Sequence, residues 1–114
     1  MINLIIGIVL MATGQILIWF QTNGQFVWES FRRNPLLLSV IGGTVISYMF
    51  IMSTRYLVMY FDGLLWPGRL MGFGIGITAF TFLTWYYMGE VVTTKTIISL
   101  ILAITLVSIQ IFWK

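Results

Sequence analysis

Cysteine and histidine are both absent from this chain, and with them goes most of the chemistry by which proteins act on covalent bonds. Without cysteine there is no disulfide, no thiolate nucleophile and no thiolate-bound metal. Without histidine the commonest general base, the usual metal ligand and the usual axial ligand of haem are missing. Acidic residues number three, Glu29, Asp62 and Glu90. In the topology derived below, Asp62 lies across a membrane from the other two. Glu29 and Glu90 sit in polar links that nothing marks as a pocket, so no carboxylate pair is poised for acid–base work. The expectation is a protein that is not an enzyme and needs neither cofactor nor metal. Charge as a whole is scarce, at 8% of residues with a net of +3. The one basic pair, Arg32-Arg33, fits an anionic lipid surface and not nucleic acid. Prolines number two, Pro35 and Pro67. Each falls in the first turn of an apolar run, where its missing N–H would be unpaired in any case.

What fills the space is apolar: 60% of 114 residues are hydrophobic. A soluble domain of this size buries only part of its surface and has no interior for so much. A bilayer core about 30 Å thick needs roughly 20 helical residues to cross it, and the chain offers four such runs. They cover residues 2–20, 36–58, 64–87 and 96–113. The reading is an all-α, four-helix transmembrane bundle: a single integral membrane domain over residues 1–114. Met1 leads directly into apolar residues, without a basic segment or a small-residue cleavage site, so the first run reads as a retained helix. Between the first two runs, Gln21 to Gly24 reads as a turn. Residues 25–33 then read either as a loop or as a short interfacial helix with Phe26, Trp28 and Phe31 at headgroup depth. Trp19, Trp28, Trp66, Trp85 and Trp113 fall near run ends or in that link, and read as interfacial anchors.

The third run organises the rest. Gly68, Gly72 and Gly76 recur every fourth residue and stack on one helix face, with Gly74 close by. Small residues at that spacing let backbones approach where lipid offers no hydrophobic contrast. The seam therefore reads as helix packing before substrate contact. Arg69 lies beside it, and Arg55 lies toward the same membrane face. Both read either as snorkelling cations with Asp62 as counter-ion, or as ligands for a phosphate or carboxylate, which the guanidinium fork suits. Gln15 is the strongest polar residue inside the first run, and a lone amide in hydrocarbon wants a partner. It reads as a helix contact first and a substrate ligand second.

Short connections after the second and third runs make sequential helices antiparallel. One side then carries Arg55, Arg69, Lys114 and the amino terminus, and the other carries Arg32, Arg33 and Lys95. Three side chains against three give almost no orientation by the positive-inside rule. Either the protein inserts both ways up and pairs as an antiparallel dimer, or a partner fixes it. One four-helix unit encloses little cavity, so a homodimer or a hetero-oligomer with another membrane protein is expected.

Gly74, Ile75 and Gly76, then Trp85, then Gly89 and an apolar fourth run make the second half similar to the small multidrug resistance proteins, within the wider drug/metabolite transporter superfamily. Gly14 in the first run looks like the first helix of that family. The resemblance implies transport, a cavity lined by the third helix and a bacterial inner (cell) membrane. The sequence departs from the family at telling positions. Its drug-exporting members carry a glutamate in the first helix, three residues before the glycine, and that position here is Met11. The tyrosine and the tryptophan early in the third helix fall at Arg69 and Gly72. Proton-coupled export of a lipophilic cation is thus unsupported. The expectation is a small drug/metabolite-type transporter or lipid-flippase component acting on an amphipathic or anionic substrate. The alternative is a non-transporting accessory subunit packed against a larger membrane complex. Substrate or headgroup contact is expected at Arg69, Arg55 and Gln15.

Overall fold

A computed structural model describes residues 1–113 of the chain. Five helices follow one another: α1 (Ile2–Asn23), α2 (Glu29–Arg33), α3 (Pro35–Tyr60), α4 (Trp66–Leu83) and α5 (Thr94–Phe112). There is no strand among the described residues. Four of the helical segments are long and apolar enough to cross a membrane: Ile2–Phe26, Pro35–Tyr60, Trp66–Met88 and Thr94–Phe112. The fold is an all-α four-helix bundle, and the chain is a multi-pass membrane protein.

Local chemistry sets the boundaries. Pro35 opens α3 and Pro67 lies in the first turn of α4, where neither removes a helical hydrogen bond. Asp62 and Gly63 carry φ of 56° and 89°, the left-handed pair that reverses the chain between α3 and α4. Thr93 caps α5, its hydroxyl accepting from the Thr96 N–H at 3.3 Å. The Gln21–Gly24 stretch is less of a turn than its composition implies. Residues Gln21, Thr22 and Asn23 stay helical, and a 3₁₀ turn, Gly24–Phe26, follows. The reason is tertiary: the Gln21 amide donates to the Leu38 carbonyl of α3 at 3.1 Å, tying down the last turn of α1. Within residues 25–33 the chain forms the 3₁₀ turn and then a single short helix, α2. There Glu29 pairs with Arg33 at 2.9 Å and with Arg32 at 3.7 Å.

Helix α1 lies between α3 and α4, and α5 packs on the outer side of α4. The unit measures 46 × 36 × 18 Å, so the bundle is flattened and the helices stand nearly side by side. The core is small: Leu4, Met11, Leu57 and Met71. The most extensive helix contact joins α1 to α3. A Cβ on Gly7 would stand 2.6 Å from Leu57 Cδ2 and 3.4 Å from the Leu57 nitrogen, and the buried Ser53 hydroxyl donates to the Gly7 carbonyl at 2.8 Å. Other hydroxyls inside the spans, such as those of Thr44, Thr78 and Ser99, donate to the carbonyl four residues back in their own helix. That satisfies them without a partner helix.

Aromatic residues close one end. Trp19, Phe20, Trp28 and Tyr87 lie with ring centroids 5.3–5.9 Å apart. The Trp19 indole is 2% exposed and its Nε1–H donates to Thr84 Oγ1 at 3.0 Å. This corrects the expectation of Trp19 as an interfacial anchor. It is a buried bolt between α1 and a π-helical turn, Thr84–Met88, that ends the third span. The wider turn presents Thr84 to the indole, and Gly89 at φ 68° ends the helix.

Candidate functional site

The four glycines of the third span divide between two faces. On one side Gly74 meets α5: a Cβ there would lie 2.8 Å from the Ala103 carbonyl oxygen, so backbone faces backbone. On the other side Gly68, Gly72 and Gly76 meet side chains only. Their nearest neighbours are Leu57, Met11 and Gln15 respectively. A two-residue offset turns a helix position by about 200°, which places Gly74 opposite the other three. Close approach of main chain is therefore the property of Gly74, while Gly68 and Gly72 leave room.

That room is a cleft of about 550 Å³ between α1, α3 and α4. Its walls are Met11, Ile18, Phe50 and Val58, its floor is Gly68 and Gly72, and its polar groups are Arg69, Gln15 and Thr54. Gln15 reaches across from α1, its Nε2 donating to the Gly72 carbonyl at 3.4 Å. This is a long bond, and it leaves the second amide N–H uncommitted. At the mouth, Arg69 lies about 4.5 Å along the helix axis from Trp66, one turn inside the start of the span by the rise per residue. Its guanidinium carbon stands 5.1 Å from the centroid of the Phe73 ring, a cation–π contact worth about 0.5–1 kcal/mol at an exposed site. A guanidinium fork at the mouth suits a carboxylate or phosphate.

The sequence residues fare unequally. Arg69 and Gln15 meet in one cleft. Arg55, exposed on α3, does not line it, although its neighbour Thr54 does. Asp62 is no counter-ion to either arginine: the ion pairs among the described residues are those of Glu29. Phe73, Phe50 and Thr54 were not singled out in the sequence. Phe73 was findable, since it lies one turn from Arg69 on the same face. Among the described residues no three carboxylates converge to hold a metal ion, and the cleft contains no carboxylate at all. Its donors suit an anion and its walls suit hydrocarbon. No family model, no curated protein and no solved structure matches this chain.

Proposed function

We propose that this protein is a small, non-enzymatic membrane transporter or lipid-flippase component of the drug/metabolite type, seated in a bacterial inner membrane, whose substrate is an anionic amphipath. One observation carries the reading. Arg69 stands stacked on Phe73 at the mouth of an apolar cleft, with no carboxylate paired to it among the described residues. A cation at that depth is costly unless it snorkels or is answered by an anion. Met11, which stands where the resembling family carries its glutamate, lines the cleft as a buried thioether. Export of a lipophilic cation in exchange for protons has no carboxylate to run on there.

The test is native mass analysis of the protein purified in mild detergent. The wild type is expected to retain phosphatidylglycerol in preference to phosphatidylcholine. Arg69→Ala is expected to lose that preference, with at least a fivefold drop in the lipid-bound fraction and unchanged helicity. Equal retention by wild type and variant would end the reading. Recovery of a stoichiometric larger membrane protein, with no lipid preference, would establish the accessory-subunit alternative in its place.

A further inference from the structure

The Arg69 cleft does not end at Gln15. A second cavity, of about 690 Å³, lies between α4 and α5, and a third, of about 320 Å³, lies where the third span turns toward α5. Gln15, Gly72 and Phe73 line both the first and the second. Ile77, Phe80 and Ser99 line both the second and the third. The three hollows thus adjoin one another along the surface. They follow Arg69, Gly72, Phe73, Gly76, Ile77, Phe80 and Thr84 along the third span, and steps of three, four and seven keep those residues on one helix face. From Arg69 to Thr84 the stripe rises about 22 Å, most of a bilayer core.

Its polar groups are spaced along that length. Arg69 stands at one mouth. Gln15 stands partway, against Gly72 and Gly76. Lys95 stands at the other mouth, on the opposite side of the membrane by the antiparallel order of the helices. Glu90 shares the far mouth but forms no ion pair with Lys95 among the described residues, so the strictly cationic entrance is the Arg69 end. Between these groups the flanks are hydrocarbon and face outward: Phe73 is 57% exposed and Leu102 65%. Glycines at 72 and 76 deepen the channel where a side chain would fill it.

We propose that this stripe is a single lateral groove through which the headgroup of an anionic lipid passes between leaflets while its acyl chains remain in the bilayer. The inference rests on the anionic-amphipath reading and names both the substrate class and its route. A closed cavity would have to admit the whole lipid. A groove open along its side needs only to shelter the headgroup, and an N–H donor at each end and one between shortens the stretch over which the anion lacks a partner. The route lies within one chain, so a second subunit is not required to complete it.

The experiment uses the full chain in phosphatidylcholine–phosphatidylglycerol vesicles holding a trace of fluorophore-tailed phosphatidylglycerol. The signal is the rate at which inner-leaflet probe becomes open to a membrane-impermeant quencher. The wild type is expected to raise that rate at least tenfold over empty vesicles, and to move a phosphatidylcholine probe more slowly. Ser99→Trp, at the joint of the second and third lengths, and Leu102→Trp, in the second, are each expected to return the rate to that of empty vesicles. Thr105→Trp is on the same helix but lines a separate hollow, and is expected to leave the rate unchanged. Either plug that keeps wild-type helicity yet passes lipid at the wild-type rate overturns the groove and spares the anionic reading. So does a wild type that retains phosphatidylglycerol in native mass analysis without moving it. Equal rates for the two probes overturn the preference for an anion. A wild type that neither retains nor moves phosphatidylglycerol takes the anionic reading down, and the groove with it.

Discussion

Helix α1 meets α3 along a closed seam and meets α4 along an open one. On the α3 side, Gly7 lies against the fully buried Leu57, and its carbonyl takes the Ser53 hydroxyl. On the α4 side, Gly72 faces the tip of Met11 and Gly76 the amide of Gln15, and a cleft remains between them. Both regions use glycine, and to opposite ends. What decides the outcome is the group that stands across from the missing Cβ. A branched side chain fixed in the core closes the gap, whereas the far end of an unbranched chain leaves it adjustable.

Adding atoms to the closed seam is expected to have the largest effect on stability. In Gly7→Val the new Cβ alone would stand 2.6 Å from Leu57 Cδ2 and 2.7 Å from its Cγ. Leu57 has no exposed surface into which it can retreat. Overpacking of this kind costs about 1–3 kcal/mol, and reversible unfolding in mixed micelles would register it. A variant as stable as the wild type would show that the seam is not closed. Ser53→Ala is the milder cut at the same place. It removes one interhelical hydrogen bond, worth about 0.6 kcal/mol on average within membranes, and leaves the Gly7 carbonyl its helical partner. A loss larger than that of Gly7→Val would mean that polarity and not shape holds α1 to α3.

The four spans were legible because each is an apolar run of bilayer length with a turn signal beside it, and the membrane enforces helix wherever such a run enters. Pro35 and Pro67 marked two of their boundaries for local reasons. The lateral order of the helices was not legible. Near-uniform hydrophobicity leaves no polar face to tell which side of a helix meets protein and which meets lipid. Trp19 shows the consequence. A tryptophan near the end of an apolar run has the composition of an anchor, and only the π-turn at Thr84, set by distant packing, makes it a core residue. The candidate site was half legible. Arg69 and Gln15 stood out as polar groups in hydrocarbon, whereas Ser99 and Thr54 resemble every other hydroxyl that bonds its own helix.

Gly76→Ala puts the smallest possible addition into the open region, and it is expected to change stability least. The new methyl would stand 2.9 Å from Gln15 Oε1 and 3.1 Å from its Nε2, but the amide lies at the end of a flexible side chain and can swing aside. The strain is therefore small. It is further offset by the roughly 1 kcal/mol by which alanine exceeds glycine in helix propensity, and the unfolding midpoint is expected to stay within about 0.5 kcal/mol of the wild type. Lipid retention is expected to fall even so. Turning the Gln15 amide away from Gly72 removes the donor midway along the stripe and narrows the channel by a methyl group, so the bound phosphatidylglycerol fraction should fall severalfold. Loss of stability on the scale of Gly7→Val, with lipid retention intact, would make the Gly68/Gly72/Gly76 face a packing seam like that of Gly7. Loss of retention without loss of stability would separate the two regions by function as well as by shape.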